Sequence, residues 1–335
     1  MPPRRRSHPE ERRDRRREAR VSQGSSAHSR TTSELCARAE EAHRAGRLED
    51  AVALFAALDL AEGVAETDRI RVSLAQGKLF TDRVFHANRG YDEAIATLEA
   101  AYVLAQRLAE ALSGATALDL MGFADYYRAL QAGDKDYSPL LGRFQAALAR
   151  REQLNDSRGV ADSLFHIGLI HERLREDDGA LDMYRRAYTL AKERGHELEL
   201  SYAARHLGGL ALEAGDLDAA RRFFSESLTL RQQAGYTLLL PLAHIALGDV
   251  MLAQNDLDGV ASQYGQAHAL AQRMQSPLVS VSSLLALSEL AHARSNENAR
   301  REYVEQALSR ARAADLPIGV RGAEAALAAI TQDRI

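Results

Sequence analysis

Tryptophan is absent from this 335-residue sequence, and only one cysteine and seven prolines are present. Cys36 alone cannot close an internal disulfide, and zinc sites built from two or four thiolates are excluded. So few prolines leave long stretches where helices can run unbroken. No apolar run approaches the roughly 18 residues of a membrane-spanning helix. An arginine-rich start with no apolar stretch behind it is not a secretory signal, so a cytoplasmic location is expected. Lysine is nearly missing too: Lys78, Lys135 and Lys192 stand beside forty arginines.

Alanine and leucine dominate what remains, with arginine and glutamate at the polar positions. Hydrophobic residues make up 46% and charged residues 27% of the chain, the composition of a folded and nearly all-helical protein. Residues 1–30 differ. Their ten arginines against four acids (Glu10, Glu11, Asp14, Glu18) give +6, so residues 31–335 carry −10 of the overall −4. This tail has almost no large apolar side chain and is expected to be disordered. It is either a basic arm for nucleic acid or anionic lipid, or a solvated leader. Four interrupting acids and the lack of an aromatic for base stacking favour the leader.

The chain repeats itself. Ile167-Gly168, Leu207-Gly208 and Leu247-Gly248 are forty residues apart, and Leu287-Ser288 follows forty later. Twelve residues after each glycine comes Ala180, Ala220 or Val260; then an aromatic, Tyr184, Phe224 or Tyr264; then Ala187, Ser227 or Ala267. Each unit reads as two amphipathic helices joined by a turn. Gly215 and Asn255 suit a left-handed helix end, and the following aspartates suit an N-terminus. Small residues let the paired helices approach, and the aromatic is expected to fill the space toward the next pair. Earlier units are irregular: one around Gly46 and Phe55, one around Gly90 and Leu98, one around Met121-Gly122 and Phe144 with an insertion at 131–137. There Ser138-Pro139 reads as an N-cap followed by proline. Residues 318–332 read as a closing helix. The expected architecture is all-α: a right-handed superhelical solenoid of about seven helix pairs and a C-terminal cap over 31–335.

This pattern resembles the tetratricopeptide repeat family, with a forty-residue unit instead of 34. Long units of this kind are similar to the arrays of bacterial transcription regulators of the LuxR and maltose-regulator type. The resemblance implies that the first helix of each pair lines a concave groove. It places there Asp119, Phe123, Tyr126 and Tyr127; Asp162, Phe165, His166, Leu169 and Arg173; Tyr202, Arg205 and His206; Asp249; Glu289 and His292. Aromatic and arginine side chains favour binding, although several of these rings could instead pack between units. The family's Lys, Asn and Arg clamp for chaperone C-termini is not reproduced at Phe165, Leu169, Arg205, His206 and Gly209, so docking of Hsp70 or Hsp90 is not expected. The charge of −10 argues against a generally anionic ligand.

Enzyme motifs are missing. Gly77-Lys78 is followed by Leu79 and lacks the upstream glycine of a phosphate loop. His171-Glu172 begins a zincin pattern that Arg175 breaks. Acid pairs such as Asp177-Asp178 read as helix caps. The expectation is a non-enzymatic adaptor, scaffold or sensor without cofactor or metal, holding a peptide or protein segment in its groove. The other reading is the sensing subunit of a transcriptional or signalling regulator whose basic tail alone contacts nucleic acid. No membrane partner is expected.

Overall fold

The computed structural model describes residues 32–59 and 64–332. The tail at 1–30, with both readings of it, lies outside the described residues. Within them the chain forms fifteen α-helices: α1 (32–44), α2 (Leu48–Asp59), α3 (Glu66–Ala87), α4 (Tyr91–Arg107), α5 (Ala111–Ala132), α6 (Ser138–Gln153), α7 (Ser157–Arg173), α8 (Asp177–Arg194), α9 (Glu197–Glu213), α10 (Leu217–Gln233), α11 (Leu240–Ala253), α12 (Leu257–Met274), α13 (Pro277–Ala293), α14 (Glu297–Ala313) and α15 (Pro317–Gln332). A 3₁₀ turn, Thr237–Leu239, precedes α11. Helices pack pairwise in chain order, giving seven pairs and a cap. No helix among the described residues is long and apolar enough to cross a membrane.

The repeat letters have a steric reason. A Cβ on Gly168, Gly208 or Gly248 would lie 2.5, 2.8 or 2.4 Å from the ring of Tyr184, Phe224 or Tyr264. Only hydrogen lets the ring of the second helix rest on the first. The aromatic therefore packs primarily inside its own pair, where the sequence pattern places it toward the next. Tyr184 does both: its hydroxyl also lies 3.2 Å from His206 Nδ1 in the following pair.

Turns follow the expected chemistry. Gly215 and Asn255 have φ of +77° and +57°. The side chains of Asp156, Asp216 and Asp256 accept hydrogen bonds from the backbone N–H of Gly159, Ala219 and Gly259. Two local readings change. The N-cap of α6 is Tyr137, with Ser138 already helical. The Asp136 side chain takes the Ser138 N–H that a serine cap would leave free. Asp177 and Asp178 are not caps; they sit in the first turn of α8 after Glu176, where they act on the helix dipole.

Helices α3 and α5 each hold 22 residues, against 17 in α7 and α9. Five more residues add about 7.5 Å, and the added turns meet the far end of the array. His86 Nδ1 lies 3.0 Å from Ser276 Oγ. The Asn88 side chain donates to the Asp315 carbonyl at 2.8 Å. Arg321 donates to the carbonyls of Leu130 and Gln131 at 2.9 and 3.0 Å. The second and third pairs thus touch α13, the α14–α15 turn and α15. The concave groove is bridged along this seam and encloses an interior.

Candidate functional site

The interior is a cavity of about 420 Å³ lined mainly by α3, α5, α7 and α9. Every glycine that faces the second helix of its pair sets a register, and Gly77 belongs to the series, since its Cβ would strike Leu98 at 2.4 Å. Counting from these glycines, the same positions recur in the wall. They are Leu74, Ala75, Lys78, Thr81 and Asp82 from α3; Thr116, Asp119, Leu120, Phe123, Tyr126 and Tyr127 from α5; Asp162, Phe165, His166, Leu169 and Arg173 from α7; and Tyr202, Arg205 and His206 from α9. Leu239 and Leu242 complete the apolar side.

Rings run along the wall in near contact. Phe85 stacks on Tyr127 with centroids 4.5 Å apart, Tyr127 meets Phe123 at 4.3 Å, and Phe123 stacks on His166 at 4.3 Å. Phe165 stacks on Tyr202 at 5.4 Å and meets His206 edge-on at 5.2 Å. These rings both pack between units and present faces to the cavity. Burial, first of all, keeps the Tyr127 and Tyr202 hydroxyls protonated well beyond the ordinary range.

Asp119 is the centre of a buried polar cluster. It is 2% exposed. Its Oδ2 lies 3.3 Å from Arg151 Nη1 and 3.0 Å from His166 Nδ1, and Ser163 donates to its Oδ1 at 3.1 Å. Burial alone would raise its pKa; His166 and Arg151 outweigh burial and hold the carboxyl at about 2. Glu172 is treated similarly. Against burial, His206 Nδ1 at 2.9 Å and the Tyr184 hydroxyl at 2.7 Å hold it at about 2. Asp82 pairs with His43 at 2.8 Å. Asp162 has no such partner; burial and the nearby Glu199 push it up to about 6.

Two wall residues come from second helices. Arg151 ends α6 and Arg231 ends α10, and both are nearly inaccessible, at 3% and 2%. Arg151 donates to the Gly159 carbonyl and to Ser163 and is neutralised by Asp119. Arg231 donates to Ser201 Oγ at 3.4 Å and the Leu239 carbonyl at 3.3 Å and lies 5.7 Å above the Tyr202 ring. Among the described residues no carboxylate lies within 4 Å of it. Burial and then the charge of Arg205 lower its pKa to about 10, so it stays cationic.

Twelve of the fifteen residues placed on the concave face by sequence line this cavity. Asp249, Glu289 and His292 do not. Asp249 accepts the Tyr264 hydroxyl at 2.6 Å, and His292 pairs with Glu297 at 2.9 Å near the surface. Lys78, Asp82, Phe85, Arg151 and Arg231 are wall residues that the sequence reading missed. Counting forward from Gly77 as an anchor would have reached the first two. The arginines break a column that reads Ala105, Ala191, Ala271 and Ala311 in the other units. Among the described residues, no cluster of His, Cys, Asp and Glu could hold a metal ion.

No protein-family model matches the sequence, and no curated protein resembles it by sequence. Solved structures do resemble it. A Rap protein complexed with competence and sporulation factor aligns with a TM-score of 0.53 at 12% identity, over 91% of this chain and 98% of that one. The BtubC protein of P. vanneervenii aligns with a TM-score of 0.53 at 16% identity, over 68% and 93%. A signal-transduction ATPase from Pyrococcus horikoshii with a tetratricopeptide repeat sensor aligns with 0.50 at 13% identity, over 81% of this chain and 41% of that one. At these identities the likeness is one of fold: a helical solenoid of the tetratricopeptide type.

Proposed function

We propose that this chain is a non-enzymatic binding module, a sensor or adaptor that takes up a short peptide or a small molecule inside its closed solenoid. The carrying observation is the interior itself. A cavity of about 420 Å³ lined by aromatic, aliphatic and charged side chains falls within the roughly 300–1,000 Å³ of sites that enclose a ligand. Closure at the seam favours a compact occupant, or the end of a peptide, over a long segment lying across many units. Binding rather than turnover is supported by how most of the acids are used: Asp119, Asp82 and Glu172 are each held by a basic neighbour, and of the wall carboxylates Asp162 alone stands without one. The solved Rap complex shows that a chain of this fold can be crystallised with a factor bound. The cytoplasm, and a regulator of the long-repeat bacterial kind, are the setting we assign to it.

N-phenylnaphthylamine, a neutral aromatic fluorophore, tests the site. It should titrate to one equivalent, and Ala75→Phe, which projects a ring from α3 into the space, should abolish the titration with helical circular dichroism unchanged. Undiminished binding in that variant would place the site elsewhere. Tyr202→Ala should weaken binding for the complementary reason, by removing a wall.

A further inference from the structure

The repeat supplies its own control for an unusual arginine. Arg151 and Arg231 hold the same register position, seventeen residues before Gly168 and Gly248, in a column that four other units fill with alanine. The residue that neutralises Arg151 is Asp119, three before Gly122. The corresponding residue beside Arg231, three before Gly208, is Arg205. Where the third pair sets a carboxylate against a guanidinium, the fifth sets a second guanidinium. The other supports of Arg151 are thinned as well: the position of Ser163 is Ala243 and that of His166 is Ala246 in the sixth pair.

Neither cation of the fifth pair is paired directly; Asp249 acts on Arg205 only from beyond 4 Å. Among the described residues no carboxylate lies within 4 Å of Arg231 or Arg205. Arg205 Nη1 meets only His206 Nε2, at 3.2 Å, and its Nε is buried with no hydrogen-bond partner. Lys78 faces the same space; Asp82 and Asp162 act on its charge, though among the described residues neither lies within 4 Å of it. The wall carries five cations against three carboxylates, although residues 31–335 as a whole carry −10. A buried charge without a counter-charge is costly, and two beside each other more so.

Resting on the reading of the cavity as a binding site, we infer that its ligand carries a carboxylate, received by Arg231 and Arg205 in the place that Asp119 fills for Arg151. The rest of the ligand is apolar, lying against the wall of Phe165 and Tyr202 on one side and Leu239 and Leu242 on the other. This differs from a groove clamp built on first helices, because the deciding arginine comes from the end of a second helix. The carboxylate belongs either to a free organic acid or to the C-terminus of a short peptide, and one experiment separates the two.

N-phenylnaphthylamine bound to the full chain is displaced by matched pairs. One arm compares phenylpropionate with phenylpropanol. The other compares acetyl-leucyl-phenylalanine, with its free carboxylate, and the corresponding amide. The acid should displace at a concentration at least about tenfold lower than its neutral partner, the size of one charge-assisted contact, and Arg231→Ala or Arg205→Ala should erase the difference. The arm that shows the difference identifies the source. Equal displacement by acid and neutral partner in both arms, or a preference that survives both substitutions, overturns the inference and leaves the binding cavity standing. If the fluorophore does not bind at all, both readings fall together.

Discussion

Arg151→Ala and Arg231→Ala delete the same side chain at the same register position, and they should have opposite consequences for stability. Arg151 is 3% exposed, donates at 2.9 Å to the Gly159 carbonyl and at 2.8 Å to Ser163 Oγ, and lies 3.3 Å from Asp119. Its removal strands Asp119, a carboxylate 2% exposed, with only His166 and Ser163. Breaking a buried pair on one side costs about 3–5 kcal/mol. Arg231 makes two long hydrogen bonds to neutral acceptors, together worth about 1–3 kcal/mol at most. Against this stands the strain of keeping it charged, visible in a pKa drawn down from 12.5 to about 10, roughly 3 kcal/mol at about 1.4 per unit. Alanine is also what four other units carry there. Arg231→Ala should therefore be as stable as the parent or more so. Urea denaturation followed by circular dichroism gives the comparison directly from the shift in midpoint at constant slope. A loss of about 3 kcal/mol or more in Arg231→Ala would refute the reasoning, because it would mean that the fifth pair neutralises its arginine from within.

Acid should weaken the fold in two windows. His86 is held neutral, to about pH 4, chiefly by burial; the unfolded chain takes up its proton from pH 6.5 downward, so stability is full above 6.5 and falls, by on the order of 3 kcal/mol, toward pH 4. Glu172, held at about 2, contributes fully above its unfolded value of 4.5 and loses that contribution, also about 3 kcal/mol, as pH falls from 4.5 toward 2. Denaturation midpoints measured in steps of pH should show both losses, and His86→Asn should remove only the first. Gly248→Ala should cost about 1–3 kcal/mol, since its Cβ would lie 2.4 Å from the Tyr264 ring; Gly215→Ala, with open space around it but φ of +77°, should cost about 1 kcal/mol. Thermal melts of the two variants check the order.

The fold was legible because steric demands repeat. A glycine under a ring, and a small residue beside it, recur every forty residues from Gly168 to Gly248. The concave residues of α5, α7 and α9 followed from the same register, and they line the cavity. Two features were not legible. Gly77 went unused as an anchor because Gln76 replaces the usual apolar partner, and with it went Lys78 and Asp82. The seam depends on contacts such as His86 with Ser276, 190 residues apart, and no local pattern encodes such a pairing. Its only trace is spacing: from Gly77 to Gly122 and from Gly122 to Gly168 the interval is 45 and 46 instead of 40. The surplus is the extra turn of α3 and α5. What looked like decay of the repeat is where the repeat acquires a second purpose.

Most contacts in this molecule are between neighbours in the chain, so its stability is a sum of local interfaces, and an array of that kind ordinarily melts inward from its two free ends. Here the ends are not free. Asn88 bound to Asp315 and Arg321 bound to Gln131 tie early pairs to late ones, turning a line of units into a loop. For a terminal unit to peel away, the tie must break as well, so melting of the edges and opening of the interior become one event. Whatever lies inside then reports on the integrity of the whole circuit, and a ligand that holds the loop shut would protect amides at both ends of the chain, far from the atoms it touches.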